Sequence, residues 1–203
     1  MKIVTGLFDN YDDAKAAVGQ LEDVGVDSEE ISIVAKTDDG VDVREQGTKA
    51  AEGAGTGAGI GAIAGGAGGL LAGLGMIAIP GIGPVVAAGW LASLAAGVAA
   101  GAVVGGAAGG VVGALVKSGV AEEDAHVFAE GIRRGGSLVI ARVKDNLIVI
   151  AEDILDQAHR VNLADRRSYY AKNGWDRFDD SLDPYSPREI DAERERYMRP
   201  PGL

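Results

Sequence analysis

Three acids stand side by side at Glu122-Glu123-Asp124, two arginines at Arg133-Arg134, and the two histidines at His126 and His159. Clustered carboxylates can exchange protons or hold a metal, and histidine can do either. The spacing points elsewhere. The acids fall at the start of a helix and the arginines at its end, where the helix dipole favours each sign. The histidines lie far apart, outside any metal-ligand spacing, so solvated or locally bonded roles are the default. The chain has no cysteine, and no Ser-His-Asp arrangement is visible. The sequence therefore predicts no catalytic residue, no metal site, no cofactor and no small-molecule substrate.

Glycine is abundant enough to raise phosphate binding, because glycine-rich loops cradle phosphates. A P-loop needs Gly-Lys-Ser/Thr after a strand, and no lysine lies between Lys49 and Lys117. Gly-x-Gly-x-x-Gly spacings do occur in the run, but without the preceding strand and following ribose-binding acid of a dinucleotide fold. A net charge of −11 also excludes a nucleic-acid partner held through phosphates.

What the glycines do form is a stripe. Residues 53–116 carry no charge, and within them a small residue recurs at every fourth position: Gly53, Gly57, Gly61, Gly65, Gly69 and Gly73, then Gly89, Ser93, Gly97, Gly101, Gly105, Gly109 and Gly113. That period lays them along one slowly drifting face of a helix. Glycine costs a helix about 0.5–1 kcal/mol relative to alanine, so a stripe in register needs a compensating gain. Close approach of two helix backbones supplies one. The expectation is a glycine-zipper helical hairpin over 53–116, turning near 77–84 at Pro80, Gly81, Gly83 and Pro84. Exposed to water as a monomer, such a hairpin would present far too large an apolar patch.

The flanks must position this hairpin. Residues 2–8 and 30–36 read as strands around a helix that Asn10 and Asp13 start and Gly25 stops. A helix from about 121 to 134 ends at Gly135-Gly136, a strand follows at 137–143, and Leu147, Ala151, Ile154, Leu155 and Ala158 mark another helix. Val161-Asn162-Leu163 reads as a short closing strand. Two β-α-β units predict an α+β fold, a split ferredoxin-like domain with helices on one face of a four-stranded sheet. Its halves are 1–36 and 137–163. Residues 37–52 form a linker, 53–116 the zipper hairpin, 119–136 a connecting helix and 164–203 a charged, largely irregular tail with one helix at 187–198. The tail's aromatics (Tyr169, Tyr170, Trp175, Phe178, Tyr185, Tyr197) follow no period, so a disordered extension is favoured over an arm wrapping a neighbouring subunit.

The stretches Phe8-Asp9, Ile31-Ser32-Ile33-Val34-Ala35 and Ile79-Pro80-Gly81-Ile82-Gly83-Pro84-Val85-Val86-Ala87-Ala88-Gly89 resemble the general-stress and low-temperature-induced proteins of bacteria. So do Gly119-Val120-Ala121-Glu122-Glu123-Asp124-Ala125, Gly131-Ile132-Arg133-Arg134-Gly135-Gly136, and Gly174-Trp175 with Phe178 and Pro184-Tyr185. The resemblance implies a stress-associated, membrane-linked protein and supplies no catalytic residues.

The expected function is thus non-enzymatic: a membrane-associated homo-oligomer assembled through the zipper, with the lipid bilayer as a second partner. Both termini and the α+β domain would be cytoplasmic. The alternative is a soluble cytoplasmic homo-oligomer, a scaffold or shell whose shared core is the hairpins, and a pore is the lesser one.

Overall fold

A computed structural model describes residues 1–36, 76–91 and 110–198. In chain order it contains strand β1 (Lys2–Phe8), helix α1 (Tyr11–Asp23), strands β2 (Ile31–Lys36), β3 (Met76–Ile79) and β4 (Gly83–Ala88), and helices α2 (Gly110–Lys117) and α3 (Glu122–Arg133). Strand β5 (Ser137–Val143) and helices α4 (Ile148–Gln157), α5 (Leu163–Lys172) and α6 (Pro187–Met198) complete it. Short 3-10 turns at Ser28–Glu30 and Asp145–Leu147 lead into β2 and α4.

The strands make one antiparallel sheet of five in the order β1-β5-β2-β4-β3. The first β-α-β unit forms as expected. β1 and β2 run parallel, but β5 lies between them and pairs antiparallel with both. The first unit is well signalled locally. Asn10 accepts from the Asp13 amide at 2.8 Å, a cap worth about 1 kcal/mol, and Gly25 ends the turn at φ 94°.

Two features of the expected domain are corrected. The sheet has five strands rather than four, and helices cover both faces rather than one. Residues on β5 alternate between the two sides. Val139, Ala141 and Val143 meet Ala14, Ala17 and Leu21 of α1 and Ala151 and Leu155 of α4. Leu138 and Ile140 face the opposite way, toward Val111 and Leu115 of α2 and Phe128 and Ile132 of α3. Every residue of β2 is buried, as a strand covered on both faces requires.

The fifth strand comes from the middle of the uncharged run. Residues 76–88 are a β-hairpin, not the turn between two helices. Ile77, Ile79, Val85 and Val86 are β-branched, and Ile79-Pro80-Gly81-Ile82 closes a tight turn in which the Ile82 amide donates to the Ile79 carbonyl at 3.0 Å. Proline fixes the second turn position and Gly81 supplies φ 74° at the third, the pattern of a type II turn. Pro84 lies one residue beyond the last described β2–β4 pair.

The expected strand at 161–163 is a single backbone contact. Val161 donates to Leu7 on the outer edge of β1 at 2.8 Å, and Asn162 then caps α5 by accepting from the Asp165 amide at 3.1 Å. The tail is not an irregular extension. It contains α5 and α6, the latter over the span the sequence predicts, and it packs back on its own domain: Tyr170, Phe178 and Ile190 are buried.

Candidate functional site

The four turn residues Pro80, Gly81, Gly83 and Pro84 lie together at the tip of the β3–β4 hairpin, and the tail lies directly against them. A Cβ built on Gly81 would come within 2.8 Å of the Asp180 Cα, and one on Gly83 within 3.2 Å of the Pro184 Cβ. Only residues without side chains admit the tail this closely. Phe178 enters the same apolar cluster as Ile79, Ile82, Val85 and Leu91. The ammonium of Lys36, the last residue of β2 and fully buried, donates to the Tyr185 carbonyl at 2.6 Å.

Of the stripe residues, Gly89 and Gly113 fall in the described part; Gly53, Gly57, Gly61, Gly65, Gly69, Gly73, Ser93, Gly97, Gly101, Gly105 and Gly109 lie outside it. Gly113 is buried on α2. Gly89 is not helical. It sits just past β4 at φ 87°, and an added Cβ would stand 2.0 Å from the Ile31 carbonyl oxygen. Close backbone approach is indeed its role, but against a strand edge rather than a helix. Its neighbours secure the same edge: the Leu91 amide donates to Ser32 Oγ and the Trp90 indole to the Glu30 carbonyl, both at 3.0 Å. The Arg142 guanidinium lies 4.3 Å from the centre of the Trp90 ring and 2.6 Å from a Glu30 oxygen.

Behind the tail is a buried ionic cluster that sequence reasoning missed. Glu130 on α3 is fully buried; Arg134 Nε bonds it at 2.6 Å and Arg133 Nη1 approaches at 3.3 Å. Arg134 also reaches Glu193 of α6 at 2.7 Å. Burial alone would lower the Arg134 guanidinium's pKa, but its bond to Glu130 and the charges of Glu130 and Glu193 outweigh that and raise it. Arg134 stacks 4.3 Å from the centre of Tyr170, and Arg166 lies 3.7 Å over Tyr197 while pairing with Asp9 at 2.8 Å. Burial holds the Tyr170 and Tyr197 phenols above their ordinary range, so both are neutral. The spacing Glu130, Arg133, Arg134 was the available signal, since i,i+3 and i,i+4 pairs share a helix face.

The residues first considered for chemistry are dispersed by the fold. Glu123 and Asp124 pair with Arg167 of α5, in addition to sitting in the first turn of α3. His126 is half-buried on α3. His159 is exposed just beyond α4 at φ 63°, in the left-handed conformation that ends a helix, rather than on the helix itself. Among the described residues, no three histidines or carboxylates are placed to hold a metal ion. None of the described helices is long and apolar enough to cross a membrane.

Residues 4–80 match the family model described as the heat induced stress protein YflT domain. The match spans less than half of the chain. It attaches a stress-associated domain to the stretch from β1 to the hairpin turn. No curated protein and no solved structure matches the chain.

Proposed function

We propose that this is a non-enzymatic, stress-associated protein that self-assembles through its two uncharged glycine-rich segments, residues 53–75 and 92–109. The observation that carries the reading is the β3–β4 hairpin, which seats the middle of the uncharged run in the sheet. Each segment therefore leaves the α/β body and returns to it. At about 1.5 Å per residue, segments of this length folded back on themselves would give helical legs of at most about 17 Å, against ~30 Å of hydrocarbon. Residues 37–52 cannot lengthen a leg, because they carry Asp38, Asp39, Asp42, Arg44, Glu45, Lys49 and Glu52. A spanning helical hairpin, and with it a pore, is disfavoured. Association between copies along the stripes remains, and it gives the glycine period a purpose that composition alone does not.

A second reading keeps the bilayer as partner: the same segments, free of charge throughout, dip into one leaflet while the body stays outside. Fractionation separates the two. Recovery as a large detergent-free particle supports assembly in water, whereas sedimentation with membranes that resists carbonate supports insertion. A monodisperse monomer in water and in detergent overturns both. The stripe is tested directly by Gly61→Leu and Gly105→Leu, which should reduce particle size, beside Ala62→Leu and Ala102→Leu, which lie off the stripe and should not.

A further inference from the structure

We propose that residues 178–185 form a releasable strap that holds the β3–β4 hairpin in the sheet. Building on the self-assembly reading above, release of the hairpin would join two short uncharged segments into one continuous run and promote association.

Among the described residues, it is the strap that closes over the tip of the hairpin. The described β2–β4 ladder runs from Ile33–Ala88 to Lys36–Val85. Beyond it, the turn at Pro80–Pro84 projects past the end of β2, and the Asp179–Asp180 backbone and Pro184 close over its two glycines. Phe178 caps the hairpin's buried side chains, and Tyr185 is fixed by its carbonyl on Lys36 and by Arg133 stacked 4.9 Å from its ring centre. Arg133 also donates to the Asp183 carbonyl at 3.2 Å.

The strap is held at few points. Between Gly174 and Ser186 it contains no helix or strand; Phe178 is its one buried residue, Trp175 and Tyr185 are half-buried, and Leu182 is 48% exposed. A segment with so few buried contacts opens at a lower free energy than the sheet beneath it. The sheet itself does not depend on it, since β1, β5 and β2 pair with one another and are packed by α1 and α4 on the far face.

The test uses the full chain, hydrogen exchange and particle size. Phe178→Ser removes the buried anchor; Lys36→Met keeps side-chain bulk while deleting the bond to Tyr185. Each should speed exchange at the amides of 83–88 by about tenfold or more, leave those of β1 and β5 unchanged, and enlarge the particle. Tyr185→Ser removes the ring stacked against Arg133 without changing any residue of the hairpin, and should act in the same direction. If β1 and β5 accelerate as much as the hairpin, or the hairpin is indifferent to all three changes, the strap is overturned. If the hairpin opens as described while particle size stays fixed, the strap stands and the self-assembly reading falls. Should Phe178→Ser fail to fold, Lys36→Met and Tyr185→Ser decide the question.

Discussion

Arg134, the cap residue of α3, bonds Glu193 of α6 at 2.7 Å while its Nε holds Glu130 at 2.6 Å. One guanidinium thus ties the tail to the α/β body through two buried carboxylates. Such pairs contribute little net stability against an apolar replacement, yet breaking one costs heavily because a charge is left buried without compensation.

Arg134→Ala should therefore destabilise the chain by about 3–5 kcal/mol, since Glu130 is fully buried. Glu193→Ala should cost less, because Arg134 keeps Glu130. Urea denaturation of the two variants gives the ordering. Equal and small losses would mean that water reaches the cluster.

The same arginine shows where the sequence was readable and where it was not. β1, α1, β2, β5, α4 and α6 were legible because each carries its own signal: β-branched runs, the Asn10 cap, a 3.6-residue apolar face. The hairpin was misread because glycines four apart continue on both sides of it, and that long-range period hid a local one. Ile77, Ile79, Val85 and Val86 around Pro80-Gly81 are strand-and-turn chemistry. The tail was misread for a different reason. Tyr170 and Tyr185 lie over Arg134, Ile190 packs on Gly135 and Phe178 enters the hairpin cluster. These contacts are made from irregularly spaced positions, so no period links them and only the tertiary structure shows their partners.

Acidification should loosen the tail. Two hydrogen bonds from Ser181 hold Asp179 below its ordinary carboxylate value, and two from Ser186 do the same for Glu189 at the start of α6. A depressed folded pKa gives stability that is present above the unfolded value and lost as pH falls through the folded one. From the ordinary values of 4.5 for Glu189 and 3.8 for Asp179 downward, these contributions should disappear. Exchange at amides 179–190 should therefore rise between about pH 4.5 and 3 before that of β5. Simultaneous loss of both regions would count against a locally weaker tail.

The base of the hairpin offers a coupling measurement. Trp90 and Arg142 meet in a cation–π contact, and Arg142 is also paired with Glu30. The Arg142 side chain is 39% exposed, so the contact belongs near the lower end of its range. A double-mutant cycle with Trp90→Leu and Arg142→Met should return a coupling of about 0.5–1 kcal/mol. Zero coupling would assign the two side chains independent roles.

Gly89 discriminates most sharply between the zipper expectation and the sheet. In an α-helical stripe, Gly89→Ala would be near neutral or stabilise by up to ~1 kcal/mol through helix propensity. Here the residue has φ 87°, and the new methyl carbon would stand 2.0 Å from the Ile31 carbonyl oxygen and 2.8 Å from the Ser32 Cα. Both obstacles are backbone, so no side-chain rotation relieves them. The substitution must shift β2 away from the hairpin base or move the hairpin, in addition to the ~1 kcal/mol or more of a left-handed alanine. We expect a loss of at least about 2 kcal/mol in urea denaturation, with exchange at the 83–88 amides accelerated more than at β1. Gly113→Ala serves as the helical contrast because Gly113 lies within α2. A stabilised Gly89→Ala variant would return this residue to the helix and remove the hairpin from the sheet.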